Sequence, residues 1–371
     1  MVRLFPRLSL VCLSLGLLLP AFSVAQPSSD LRSLEERIAA LYREHVGSMV
    51  RVKAVYAADA EDENAVPQVV IGTGFFISRE GMILTNASIV SNPLRVWIEH
   101  ANVAYSAELI GLDDRANIAF LRTNTLPDSF SFFHLGDSSE LPEVARFVLR
   151  LSMPLELGVT PDFGLVSGHE GRFGDRFFPC KYIRTNIPAG PGDGGSAYLD
   201  LSGRLIGIQV GSLPDIGASY ALPARAALRL RDEILFSGEV TYGWLGFEVD
   251  IDSTIEHGKR LVLGEIFADS PAGQAGLIEG DILQRIGDYT VTSLGDLRNA
   301  MFYTRVGQLV DIEVMRDGDT RLFTAKVGAR PADEPMEVVE TAVEEVSASP
   351  IKESPQETGD EANGFPFESD G

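Results

Sequence analysis

The sequence predicts a mainly β protein made of a large β unit followed by a smaller α+β unit, and three observations carry this. At 371 residues the chain is too long for one ordinary domain. From Ser48 to about Ser237, short runs rich in Val, Ile and Phe alternate with Gly, Asn, Asp and Pro, the pattern of a sandwich or barrel. From about Tyr242 to Val327, strand-like and helix-like patterns alternate instead.

The first residues read as an export signal. Arg3 and Arg7 precede an apolar run from Leu8 to Phe22, and Ser23-Val24-Ala25 offers a small-residue cleavage site, giving a signal peptide over residues 1–25. The run is shorter than the roughly 20 residues that span a bilayer and ends near Pro20, so no stable membrane span is expected. Cys12 lacks the small residue that usually precedes a lipoprotein cysteine. Cleavage leaves Cys180 alone, without an internal disulfide and expected to be buried. Residues 26–47 contain an amphipathic helix, with Leu31, Leu34, Ile38 and Leu41 spaced three and four apart. It packs on its own domain or serves oligomerisation; its seam is too short to specify a coiled coil.

In the β unit, strands are expected at Ser48–Tyr56, Gln68–Ser78, Met82–Asn86, Arg95–Glu99, Ala107–Leu112, Ile118–Arg122 and Arg146–Leu151. A helix from Pro223 to Phe236 closes the unit at about residue 238. The second unit, 239–329, opens with strands Trp244–Val249 and Leu261–Ile266. Ser270-Pro271 then starts a helix that Gly276 stops, and a strand Ile282–Ile286, a helix Leu294–Tyr303 and two last strands follow. Residues 330–371 are rich in Glu, Pro and Ser and cannot bury enough apolar surface to offset ordering entropy, so a disordered acidic tail is expected. The net charge of −22, about half of it after Arg330, excludes nucleic-acid binding through phosphate neutralisation. His45, His100, His169 and His257 are scattered without metal-ligand spacing, so neither a metal nor another cofactor is expected.

A set of motifs in register gives a specific resemblance. Gly72-Thr73-Gly74-Phe75-Phe76-Ile77-Ser78 and Gly81-Met82-Ile83-Leu84-Thr85-Asn86-Ala87 come first, then Asn117-Ile118-Ala119-Phe120-Leu121, Phe163-Gly164-Leu165-Val166-Ser167 and Thr185-Asn186. Pro191-Gly192-Asp193-Gly194-Gly195-Ser196-Ala197-Tyr198 and Ser219-Tyr220-Ala221-Leu222-Pro223 complete the series. Together they resemble the HtrA/DegP-type serine proteases, whose fold is a trypsin-like double β-barrel over 48–238 here. Gly243-Trp244-Leu245-Gly246-Phe247 and Ser270-Pro271-Ala272 through Gly280-Asp281 resemble that family's PDZ domain, over 239–329.

The resemblance places the triad histidine, aspartate and serine at Ser88, Asn117 and Gly194. A serine protease needs a hydroxyl nucleophile, an imidazole base and a carboxylate that orients it. Gly194 offers no nucleophile, a Ser88 hydroxyl is no base near neutral pH, and Asn117 is uncharged. Loss of one member costs on the order of 10⁴–10⁶ in turnover, and the triad acts as a unit. One fallback keeps an enzyme: Ser196 slides into the nucleophile position with Lys181 or His134 as base. In the PDZ unit the resemblance implies that N–H groups of Leu245, Gly246 and Phe247 hold a peptide carboxylate, with Leu297 and Met301 walling the pocket for its last side chain.

The resemblance therefore implies an exported protein of the periplasm or cell envelope. Either it is non-proteolytic, binding peptide C-termini or unfolded envelope proteins or regulating an active relative, or it is a serine-type endopeptidase of protein quality control with a rearranged site. A third possibility is a structural protein that its PDZ unit tethers to another. The family's trimers make a homo-oligomer, or a hetero-oligomer with an active relative, the expected assembly.

Overall fold

Leu41 anchors helix α1 (Ser29–His45) by a fully buried side chain, while Ile38 and Tyr42 pack beside it. Asp30 in the first turn and Arg43 and His45 in the last complement the helix dipole. The helix is tied to the β unit by Arg37 Nε donating to Leu201 O (2.8 Å), Tyr42 Oη donating to Val159 O (3.2 Å) and His45 stacked on Phe133. It thus packs on its own domain, as one of the two sequence readings has it. The computed structural model describes residues 29–58, 66–137, 141–173, 176–252 and 260–330. The expected signal peptide and acidic tail lie outside the described residues. No described helix is long and apolar enough to cross a membrane.

The first barrel contains β1 (Met49–Tyr56), β2 (Gln68–Phe76), β3 (Met82–Thr85), a one-turn helix α2 (Ala87–Val90), β4 (Arg95–His100), β5 (Val103–Asp113) and β6 (Ile118–Thr123). It closes antiparallel in the order β1-β2-β3-β6-β5-β4. Alternating side chains such as Val50, Val52, Ile83, Ile98 and Leu121 fill its interior. The second barrel contains β7 (Phe147–Ser152), β8 (Thr160–Phe173), β9 (Arg176–Thr185), β10 (Ala197–Leu199), β11 (Leu205–Leu213) and β12 (Ala218–Pro223). Its order is β10-β11-β12-β9-β8-β7. A third apolar cluster, including Leu41, Phe75, Phe120, Leu149 and Tyr182, runs between the barrels, and Cys180 is fully buried in it. Burial pushes that thiol far up, so it is a packing group and not a reactive one.

After helix α3 (Ala224–Ser237), which Gly238 ends in the left-handed conformation, comes the α+β unit. It comprises β13 (Gly243–Trp244), β14 (Phe247–Asp252), β15 (Arg260–Ile266), α4 (Pro271–Ala275), β16 (Ile282–Ile286), β17 (Tyr289–Thr290), α5 (Leu294–Tyr303), β18 (Leu309–Arg316), β19 (Asp319–Lys326) and β20 (Gly328–Ala329). Ser270 caps α4 by accepting from Gly273 N, and Ser293 caps α5 by accepting from Asp296 N. The single strand expected over Trp244–Val249 is broken in two. Gly246 has φ +80°, and the peptide after Trp244 turns away to pair Leu245 O with Ala272 N and Gly246 O with Phe267 N.

Helix α5 is buried on two sides. Leu297, Ala300 and Met301 pack on its own sheet. Phe302 inserts into the cluster between the barrels, Asn299 Oδ1 accepts from Lys181 N (3.1 Å), and Asp296 pairs with Lys181 Nζ. Tyr242, in the connection from α3, donates to both carboxylate oxygens of Asp113 (3.0 Å each). The α+β unit is therefore seated on the barrels by packing and by ion pairing.

Candidate functional site

At the seam between the barrels Ser88 and Asn117 are joined by a backbone-to-amide hydrogen bond, and Gly194 lies near Asn86 and Ile89 on either side of Ser88 in sequence. Ser88 is exposed on α2, and its N–H donates to Asn117 Oδ1 (2.9 Å). Asn117 sits just before β6 with φ +57°, a left-handed conformation that Asn tolerates better than most residues. Its Nδ2 donates to Val210 O on β11 (3.0 Å). One amide thus stitches the first barrel to the second, using its donor and its acceptor at once. A carboxylate could keep the first bond but has no proton for the second.

Gly194 holds the same seam from the other side, its carbonyl accepting from Thr73 N (2.8 Å). A Cβ added there would lie 2.9 Å from Asn86 Nδ2 and 4.0 Å from Ile89 Cδ1. Asn86 is 3% exposed and its Oδ1 has no hydrogen-bond partner among the described residues. The neighbouring Gly195 has φ +88°, and a Cβ there would meet Thr73 O at 2.0 Å. Only glycine fits this turn, because both the conformation and the close backbone approach exclude a side chain.

The loop Pro188–Ser196 is closed on itself. Asp193 Oδ2 accepts from Gly190 N (2.8 Å), and Asp193 N donates to Gly190 O (3.2 Å). Ser196, the expected fallback nucleophile, lies at the end of this loop. Its side chain is fully buried and its hydroxyl donates to Asp193 O at 2.5 Å, within the loop. Neither expected base is beside it. The Lys181 ammonium is paired with Asp296 of the α+β unit, and His134 is exposed against Phe132. The other described histidines are also engaged elsewhere. His45 stacks on Phe133, His100 lies between Met49 O and Ser129 O, and His169 contacts Pro142 O.

Behind the loop lies a buried polar network that the motifs did not indicate. Arg150 on β7 is 3% exposed; its Nη1 donates to Pro188 O (2.8 Å) and Gln209 Oε1 (3.0 Å). Its Nη2 meets Asp162 Oδ2 at 2.7 Å and Asp193 Oδ2 at 3.3 Å. Tyr198 Oη lies 2.5 Å from Ser219 Oγ and 3.3 Å from Gln209 Oε1. Burial pushes the Tyr198 hydroxyl up, so it stays neutral. The signal in the sequence is a lone arginine in the apolar run Phe147-Val148-Leu149-Arg150-Leu151: a charge buried in a barrel strand needs carboxylate partners.

Four of the residues expected to bind a peptide, Leu245, Phe247, Leu297 and Met301, belong to one apolar cluster of the α+β unit. Leu245 is in the core cluster against which Phe247, Leu297 and Met301 pack. Met301 Cε lies 3.6 Å from where a Cβ on Gly243 would be. Strand β14 is the terminal strand of the order β14-β15-β16-β18-β19, so the Gly243–Phe247 turn leads into a sheet edge that is free among the described residues.

The chain resembles known proteins along both parts. Residues 72–208 match the trypsin-like peptidase domain family and residues 243–327 the PDZ domain family. It is 28% identical over 277 residues to a probable periplasmic serine endoprotease DegP-like of Marinomonas sp. (strain MWYL1), covering 71% of this chain and 58% of that protein. It is 29% identical over 278 residues to the protein of the same description from Pseudomonas fulva (strain 12-X), covering 71% and 57%. The chain thus spans less than two thirds of these relatives' length. Among solved structures, the HtrA-type protease AlgW with tripeptide superposes with a TM-score of 0.63 at 24% identity, covering 79% of this chain and 97% of that one. The serine endoprotease from Yersinia pestis gives 0.54 at 21% identity, covering 79% and 98%. A trypsin-like peptidase domain followed by one PDZ domain, with DegP-like relatives along both, makes the chain similar to the HtrA family.

Proposed function

We propose that this chain is an exported, non-proteolytic HtrA-like protein of the periplasm or cell envelope. Its PDZ domain binds peptide C-termini or unfolded segments, by itself or in mixed assembly with an active relative. The reading is carried by the Asn117 amide bonded between Ser88 N–H and Val210 O, beside a Gly194 without a side chain. The three positions supply no nucleophile, no base and no carboxylate, and what remains is far below useful proteolysis. The export assignment rests on the periplasmic descriptions of the relatives and on the basic and apolar start of the sequence.

The test is incubation of the purified protein with casein, with Ser196→Ala run beside it. Intact casein with both proteins is expected, together with saturable binding of a peptide with a free apolar C-terminus. Cleavage by the parent protein that Ser196→Ala abolishes would overturn the reading and restore a rearranged endopeptidase.

A further inference from the structure

We infer that the peptide groove of the PDZ domain selects basic C-terminal segments: an apolar last residue, with Lys or Arg second and fourth from the end. The inference rests on the peptide-binding reading above and adds to it the charge of the ligand.

A peptide that adds to the free edge of β14 places its side chains alternately on the two faces of the sheet. One face of β14 carries Phe247 and Val249, packed toward the core that Leu297 and Met301 complete. Side chains at the last and third-from-last positions enter there. The opposite face carries Glu248 and Asp250, both exposed. They lie together: a Cβ on Gly264 of the neighbouring strand β15 would be 3.2 Å from Asp250 Oδ2 and 3.6 Å from Glu248 Cβ. Gly264 leaves no side chain between them. Neither carboxylate has an ion-pair partner among the described residues, although the same domain pairs Arg285 with Glu313 and Arg316 with Asp281. The second and fourth residues from the peptide's end project beside these two charges.

The occupant is therefore a basic segment of another protein. A second copy of this chain is disfavoured, because pairing two β14 edges would bring four carboxylates together on one face. The net charge of −22 acts in the same direction at long range, drawing in basic segments and repelling acidic ones. The competing explanation is that Glu248 and Asp250 only guard an edge strand against self-association.

The test is fluorescence anisotropy of the full-length protein with fluorescein-Gly-Ser-Lys-Val-Lys-Val, free at its C-terminus. It is compared with a twin bearing Glu at both Lys positions and with the C-terminal amide of the first peptide. At low salt the basic peptide is expected to bind about tenfold more tightly than its acidic twin, the scale of a few exposed charge pairs. Glu248→Gln/Asp250→Asn, exposed changes that leave the thermal midpoint in place, should cut that ratio to about two- or threefold while apolar binding persists. Equal affinity of the twins, or a ratio unchanged in the double variant, overturns the charge selection. So does a double variant that self-associates with its peptide ratio intact, the edge-guard outcome. If the amide binds as well as the free acid, or no peptide binds, the peptide-binding reading fails and the inference with it.

Discussion

Asn117 Oδ1 accepts the Ser88 N–H at 2.9 Å while its Nδ2 reaches Val210 O at 3.0 Å, so the amide is used from both ends across the barrel interface. Asn117→Asp would set a carboxylate oxygen against the Val210 carbonyl. It is expected to cost about 1–3 kcal/mol at neutral pH, the cost of an unpaired buried acceptor. The deficit should shrink as the pH falls and the new carboxyl takes a proton that it can donate to Val210. Urea titrations at pH 7 and at mildly acidic pH check this; a variant as stable as the parent at pH 7 would show that the stitch carries no stability.

Gly194 and Gly195 are adjacent yet should respond very differently to alanine. At Gly194 the new methyl meets only the amide of Asn86 and the end of Ile89, which can turn aside, so a loss below about 1 kcal/mol is expected. At Gly195 it meets the Thr73 carbonyl at 2.0 Å with φ at +88°, and a loss of about 3 kcal/mol or more is expected. Thermal melts of the two variants side by side decide it, and equal midpoints would mean that the turn is looser than its contacts.

How much of this was legible beforehand depended on whether the cause was local. The apolar runs at Met82–Thr85 and Ile118–Thr123 are properties of consecutive residues, and these strands fall within a residue or two of expectation. The Ser270 and Ser293 caps and the Gly276 stop are equally local. The break of Trp244–Val249 was missed because its cause is Ala272 and Phe267, distant in sequence. Ser196 could not be oriented from Gly-Gly-Ser alone, since its hydroxyl answers to the fold of the loop around Asp193. The seating of α5 on β9 was hidden for a similar reason. Phe302 and Tyr303 read as helix residues, and nothing nearby tells that Phe302 belongs to the core of the barrels.

Arg150 offers a stronger test of what holds the loop in place. Removing it strands Asp193, which is 6% exposed, takes the Arg150 donor from Pro188 O and leaves Gln209 Oε1 with only the Tyr198 hydroxyl at 3.3 Å among the described residues. Arg150→Met is expected to cost about 3–5 kcal/mol, because the buried carboxylate loses its countercharge. Adding Asp193→Asn should recover part of that loss, since it removes the charge left uncompensated. A urea double-mutant cycle measures the coupling. Strictly additive losses would mean that the two side chains do not act as a pair.

Helix α1 carries a pH dependence of its own. Burial holds the His45 imidazole below its ordinary value; Arg37 adds to this and Glu44 opposes it. The ring is stacked 4.8 Å from Phe133 and its Nε2 has no hydrogen-bond partner among the described residues. In the unfolded chain the imidazole protonates near pH 6.5, whereas in the folded protein it resists protonation until lower pH. Between those two values the unfolded state binds more protons, so stability is complete above about pH 6.5 and falls as the pH drops toward the folded pKa. His169, also lowered by burial, contributes with the same sign. His45→Phe keeps the stacked ring but removes the proton site, so its urea midpoint should change less between pH 7 and pH 5 than that of the parent. An equally steep fall in the variant would assign the acid sensitivity to other groups.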